Sequence, residues 1–242
     1  GSNWLQNYCN PNHAQQLPTN EDVQARNWRA YEGKILRLNL DGTIPSDNPV
    51  LARVRSHVYS YGHRNPQGLA FGPGGRLYSS EHGPDTDDEF NLIDAGKNYG
   101  WPHVAGYNDD RVYIYKRWED STPVPCNTLK FSPTATPPSV PMSKESSWSH
   151  PDFKAPLKTF FTVAADYNVE VSGSATIAPG GMDMYTANAI PGWANSALLL
   201  SLKSGLVYRL KMSADGASVS GEPAEIFKTT NRYRDIALHP NG

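Results

Sequence analysis

The chain has 242 residues, 38% of them hydrophobic, with a formal net charge of −2 and an isoelectric point near 6.4. That is enough apolar surface to bury one substantial core, and the balanced charge excludes an electrostatic nucleic-acid binder. No apolar run reaches the 18 residues needed to span a bilayer, and no basic-then-apolar leader opens the sequence, so secretion is absent or its signal has been removed.

Twenty Gly and 20 Pro are scattered rather than pooled, and 13 Tyr with 6 Trp make the chain aromatic-rich. The mixture suits many short strands joined by tight turns, an all-β composition. Cys9 and Cys126 are too few for a disulfide framework, and form either one bridge or two buried thiols. TNEDVQARNWRA, residues 19–30, is the one stretch that argues for a helix of any length, with Thr19 or Asn20 as cap and Glu21 and Asp22 complementing the dipole.

Apolar runs bounded by Gly, Pro, Asn or Asp predict strands at 34–40, 58–62, 68–72, 76–80, 112–118, 182–187, 197–202, 206–212 and 235–240. STPVPCNTLKFSPTATPPSVP, residues 121–141, holds too many prolines to continue a ladder and reads as a long loop.

Two patterns recur. One is a strand, a Pro-x-Gly turn and a second strand, in LAFGPGGRLYSS around Pro73, ATIAPGGMDMYTA around Pro179 and IALHPNG around Pro240; the other is a Gly-led strand closing on Asp-Gly, at Gly42 and Gly216. Hairpins repeating in this way predict a β-propeller. The third hairpin stops on its turn at Gly242, so the expectation is that residues 1–242 are part of a longer propeller, roughly four blades of it, with a strand edge left unpaired.

GKILRLNLDGTIPSDNP, YGHRNPQGLAF, SSEHGPDTDDEFNLIDAGKNYGWPHVAGY, SLKSG and NRYRD, in this order, carry a resemblance to the soluble PQQ-dependent aldose dehydrogenases of the glucose/sorbosone dehydrogenase family. It runs from about residue 1 to residue 242, and the block from 61 to 107 is its most specific part. The resemblance implies a six-bladed propeller, calcium, and pyrroloquinoline quinone (PQQ) above the central channel. It also implies that the family's first two blades lie upstream of this chain.

PQQ is a planar ortho-quinone with three carboxylates, so its site needs several fixed cations and a donor aimed at the reactive carbonyl. Arg64, Lys203, Arg232 and Arg234 each adjoin a predicted strand end. An arginine at such a place is ordinarily a solvated surface charge. Arg232 and Arg234, however, are two apart and project to one face of an extended strand, where like charges repel unless an anion lies between them. By resemblance, Lys203, Arg232 and Arg234 hold the cofactor, and Arg64 with Asn65 addresses the quinone oxygen, Arg64 supplying roughly 3–4 kcal/mol to a developing oxyanion.

The reaction implied is oxidation of an aldose at its anomeric carbon to the lactone, with hydride passing to the quinone and onward to an external electron acceptor. The family's base is a histidine upstream of residue 1. His63 and His82 adjoin proposed ligands and read as structural, so no base is assigned within the chain, and residues 1–242 alone are expected neither to oxidise sugars nor to fold stably.

EHGPDTDDEFN, residues 81–91, places four carboxylates in the five residues from Asp85 to Glu89. The plain alternative is a solvated acidic turn, and an EF-hand is excluded because the sixth position from Asp85 is Phe90 rather than Gly. The resemblance implies that the carbonyls of Gly83 and Pro84 hold a calcium that touches the cofactor, and that Glu89, Tyr99, Ala105, Tyr107, Asp109 and Glu145 surround a further calcium pair. Proline fits the first role because it has no N–H and a fixed φ.

The sequence departs from the glucose-oxidising members at YNVEVSGSATIAP, residues 167–179, which is short and lacks Trp, and at Trp4, so the sugar need not be glucose. The resemblance places the protein in the periplasm or outside the cell and allows a homodimer. A non-catalytic calcium-binding propeller, serving as a protein- or sugar-binding module, is the alternative, and retention of all four cations favours the enzyme. A lectin-like calcium scaffold would leave those cations unused.

Overall fold

The computed structural model describes residues 8–132 and 135–239. The chain divides into two compact units, the first made of Gly1–Asn65, Ala95–Lys154 and Ala164–Gly173 and the second of Pro66–Asp94, Ala155–Val163 and Ser174–Gly242. In chain order the first unit contributes β1 (Lys34–Leu36), β2 (Val50–Leu51), β3 (Val54–Arg55) and β4 (Val58–Tyr61). The second contributes β5 (Pro66–Phe71), β6 (Leu77–Glu81) and β7 (Asp88–Ile93), the first β8 (Tyr115–Lys116) and β9 (Met142–Ser143), and the second β10 (Lys158–Phe160), β11 (Pro179–Tyr185), β12 (Ser196–Ser201), β13 (Val207–Met212) and β14 (Val219–Ile226).

The second unit holds two four-stranded antiparallel sheets, β10-β7-β6-β5 and β11-β12-β13-β14. Their central strands explain why the sequence folds so. SALLLS in β12 is buried along its whole length, whereas β13 alternates, sending Tyr208, Leu210 and Met212 inward and leaving Arg209 and Lys211 half-buried. Tyr78, Phe90, Leu92 and Phe160 from one sheet close a core with Met182, Leu199 and Leu210 from the other. The sheets meet closely at β5 and β11. Gly68 is required there, since a Cβ would lie 2.5 Å from Met182 Cγ and 2.7 Å from its backbone nitrogen.

In the first unit the ladders are shorter. β1 pairs β4, and single bridges from Tyr61 to Asn98 and from Asn98 to Phe153 continue that arrangement; β2 pairs β3 and β8 pairs β9. The Asn98 side chain explains the continuation, accepting the Gly100 amide at 2.9 Å and donating to Gln15 Oε1 at 2.7 Å. Cys9 and Cys126, left open by the sequence, are bridged across 117 residues of chain. The bridge lies beside Tyr8, Trp118, Val140 and Phe131.

The all-β propeller expectation is borne out, with local corrections. The expected helix over 19–30 is Asn20–Gln24, capped by Thr19 in a reciprocal box with Asp22, followed by a 3₁₀ turn at Trp28–Tyr31. Arg26 breaks it at φ 53°. The strand expected over 34–40 stops at Leu36 and that over 112–118 shrinks to Tyr115–Lys116, because little of either run finds a neighbour to pair with. Pro179–Gly181 does not form a turn: it lies inside β11, where the register slips between Pro179 and Met182 as a bulge. Residues 232–239 form no strand, so Arg232 and Arg234 lie on an irregular segment rather than one face of a ladder; Pro240 to Gly242 fall outside the described residues. Trp4 also falls outside them.

Lys34, in β1, donates from its ammonium to the carbonyls of His13 at 2.5 Å and Glu32 at 2.7 Å. Burial pushes its pKa down to about 7, opposed in part by the Glu32 carboxylate, from an ordinary value of 10.5. Between those values the unfolded chain binds a proton that the folded chain has released, so stability rises with pH across that window and is lost as pH falls through 7. The urea midpoint is expected to rise from about pH 6.5 to about pH 9, and Lys34→Met to reduce that rise. An unchanged pH dependence in the variant contradicts this.

Candidate functional site

Six of the proposed site residues, Gly83, Pro84, Glu89, Lys203, Arg232 and Arg234, lie in the second unit. Between the end of β6 at Glu81 and the start of β7 at Asp88 the chain makes a tight turn that only glycine fits at position 83, where a Cβ would lie 1.9 Å from the Thr86 carbonyl oxygen. The Gly83 amide donates to Asp88 Oδ1 at 2.8 Å. Asp88 Oδ2 accepts the amides of Ile177 at 2.7 Å and Ala178 at 2.8 Å. The carbonyls of the same two residues accept the amides of Lys203 at 3.2 Å and Leu202 at 2.9 Å.

The turn after β12 is held by Ser201, whose Oγ accepts the Ser204 amide at 2.8 Å and donates to the Ile177 carbonyl at 2.6 Å. Lys203 is exposed on this turn, and its ammonium donates to the Ser174 carbonyl. Gly205 lies against the next segment, its carbonyl accepting the Thr229 amide at 2.8 Å. Arg232 follows, and the Arg234 carbonyl accepts the Gly181 amide at 2.8 Å. The Asp88 carboxylate and a series of backbone hydrogen bonds thus link the Gly83–Pro84 turn, the Lys203 turn and the Arg232–Arg234 segment.

All three of these cations are exposed, and among the described residues none of them forms an ion pair. Such a rim suits a guest bearing several carboxylates. PQQ is such a guest, and the donor set fits it.

The acidic run is not a freely solvated turn. Asp85 is exposed and accepts from Ser174 Oγ at 3.0 Å; Asp87 is buried at φ 59° and accepts from Thr86 at 2.5 Å and Thr162 at 2.9 Å. Glu89, also buried, accepts from Asn91 Nδ2 at 2.8 Å. Each carboxylate has an internal task.

In the first unit Arg64 and Asn65 follow β4, both half-buried, and the Arg64 guanidinium sits 5.3 Å from the centroid of the Trp101 ring. That contact orients the guanidinium. His63 is fully buried, stacked on Tyr99 at 4.5 Å, with Nε2 2.8 Å from Ser60 Oγ. In the second unit His82 holds the Pro179 carbonyl at 2.7 Å, which puts its proton on Nε2. Both imidazoles do structural work, consistent with leaving the base unassigned.

Glu145, 1% exposed, accepts the amides of Ala105 at 2.9 Å, Asp109 at 3.3 Å and Asp110 at 3.1 Å. Burial pushes its carboxyl up to about 7, the three amides offsetting part of the rise. Asp109 pairs with Arg111 at 3.1 Å. Glu145 therefore shapes the loop that carries Ala105, Tyr107 and Asp109, and these lie with Tyr99 in the first unit, whereas Glu89 lies in the second. Among the described residues no three His, Cys, Asp or Glu side chains converge as a metal cage. A hard cation bound here would have to draw chiefly on backbone carbonyl oxygens.

Asp88 and Trp101 were not singled out from the sequence. Trp101 lies in YGWPHVAGY and Asp88 in the acidic run, where the sequence alone does not separate it from its neighbours.

The family model described as Glucose / Sorbosone dehydrogenase matches residues 15–158 and 149–242. Quinoprotein glucose dehydrogenase B of Acinetobacter calcoaceticus is 42% identical over 252 aligned residues, covering 100% of this chain and 53% of its own length. The apo-form crystal structure of the soluble aldose sugar dehydrogenase from Escherichia coli matches with TM-score 0.56 and 27% identity, over 94% of this chain and 53% of that one. The PQQ-bound form of the aldose sugar dehydrogenase from Streptomyces coelicolor shares the fold, with TM-score 0.52 and 24% identity over 90% of this chain and 46% of that one. The chain spans about half the length of the curated relatives it matches, 53% of one and 49% of another. With the family model covering nearly all of its residues, the chain belongs to the glucose/sorbosone dehydrogenase family.

Proposed function

We propose that this chain supplies much of the cofactor-holding face of a quinoprotein sugar dehydrogenase that oxidises an aldose at its anomeric carbon to the lactone. The observation that carries this reading is the linked set of Lys203, Arg232 and Arg234, exposed, of one sign and without ion pairs among the described residues. When bound, PQQ would supply a two-electron acceptor, which an external electron acceptor would reoxidise. Lys203, Arg232 and Arg234 hold its carboxylates. Arg64, steadied on Trp101, and Asn65 present donors for the quinone oxygen.

The carbonyls of Gly83 and Pro84 take one Ca²⁺, and Glu89, Tyr99, Ala105, Tyr107, Asp109 and Glu145 serve a further calcium pair. Oxidation removes the anomeric hydrogen as hydride and the hydroxyl hydrogen as a proton. His63 and His82 are engaged in the fold and are not assigned that proton. The Cys9–Cys126 bridge supports a periplasmic or secreted location, where disulfides persist. The sugar is left as an aldose, because residues 167–178 form only a short helix, Val169–Ser172, and an irregular link before β11.

Chelating calcium from the full-length protein is expected to lower its melting temperature and to abolish PQQ binding, because ligands of the native state stabilise it by mass action. Melting and PQQ binding that both survive chelation would overturn the calcium assignment.

A further inference from the structure

Asp88, 1% exposed, is placed differently from the other acids of its run. Its two oxygens serve two segments, Oδ1 the Gly83 amide and Oδ2 the amides of Ile177 and Ala178. The first segment contains Gly83 and Pro84, whose carbonyls are the calcium ligands of the function proposed above. The second carries the backbone of Leu202 and Lys203 on its own carbonyls.

Gly83 has no side chain to orient it, and the space where one would sit is filled by the Thr86 carbonyl. Its amide bond to Asp88 therefore limits how the following carbonyl can swing. The same carboxylate holds residues 177 and 178, and through them the turn that sets the Lys203 stem.

We infer that Asp88 is a positioning residue that couples the calcium turn to the Lys203 turn, so that a cation on the Gly83 and Pro84 carbonyls and an anionic guest at Lys203 each favour the arrangement the other needs. The inference rests on the function proposed above. Only a carboxylate serves this geometry. An asparagine of the same shape offers one acceptor oxygen and would turn its N–H₂ toward an amide donor. Coupling of this kind is reciprocal between the two ligands.

The test compares wild type with Asp88→Asn in the full-length protein by titrating Ca²⁺ into the PQQ-free form and PQQ into the calcium-loaded form. Asp88→Asn is expected to raise both midpoints roughly tenfold or more, while the KM for the aldose in the reconstituted enzyme stays within about twofold. Leu210→Ala, which thins the core of the same unit, is expected to lower melting temperature without moving either midpoint. Unchanged midpoints in Asp88→Asn overturn the inference, as does an equal shift in Leu210→Ala. Wild type that binds neither calcium nor PQQ sinks the functional reading, and this inference with it. Should Asp88→Asn fail to fold, amide exchange in the wild type decides. Calcium is expected to slow exchange at Gly83, Ile177 and Ala178 together, and slowing at Gly83 alone overturns the coupling.

Discussion

Lys203→Ala and Arg232→Ala are each expected to weaken PQQ binding roughly 10- to 150-fold, since each removes a charged hydrogen bond worth about 1.5–3 kcal/mol. Both side chains are exposed on segments whose backbones are held independently of them, Lys203 by Ile177 and Arg232 by the Gly205–Thr229 contact. Truncation should therefore leave the fold in place. Arg64→Ala is expected to behave differently, lowering kcat more than affinity, because its guanidinium lies on Trp101 and, on the proposed function, would address charge that develops during reaction. Calorimetric titration of PQQ and steady-state kinetics separate the two effects. Small, equal losses in affinity and turnover at all three positions would mark them as ordinary surface charges.

Loss of the Cys9–Cys126 bridge is the second large effect. The bridge closes a loop of 117 residues, and a loop of that size is worth about 4–5 kcal/mol on the chain-entropy account. The double replacement Cys9→Ser, Cys126→Ser is expected to lower the melting temperature by roughly 10 °C or more. Tyr8, Trp118 and Phe131 pack around the bridge, so the loss should appear first in the aromatic near-ultraviolet signal of that cluster. Melting that is the same with and without the bridge would show that the cluster alone holds this part of the chain.

How much of this was legible in the sequence depended on whether the signal was local. The strands at 58–62, 68–72, 76–80, 197–202 and 206–212 were read nearly as they stand, because each carries its own apolar pattern and a turn residue at its end. β7, DEFNLI, was hidden by its charges. Asp88 and Glu89 look like a solvated run, yet the strand is buried throughout because those carboxylates are taken up by backbone amides and by Asn91. β14, VSGEPAEI, contains Gly and Pro and sits at the outer edge of its sheet, where neither breaks a ladder on both sides.

The site shows the same division. Arg64, Lys203, Arg232, Arg234, Gly83 and Pro84 were found from charge spacing and resemblance. The bonds that hold Gly83, Lys203 and the Arg232–Arg234 segment run through Asp88 and residues 177–178, 201–205 and 229–234, which are far apart in the chain and carry no mark of their own. Whether Cys9 met Cys126 was likewise undecidable from two isolated cysteines, since pairing depends on a packed cluster drawn from both ends of a long loop.

The visible spectrum of the full-length protein after addition of PQQ and Ca²⁺ tests the central claim most directly. The predicted result is a shift in the absorbance of added PQQ that requires calcium, saturates at one PQQ per site, and changes again when an aldose is supplied. A PQQ spectrum identical to that of the free cofactor, with and without calcium and sugar, would contradict the account.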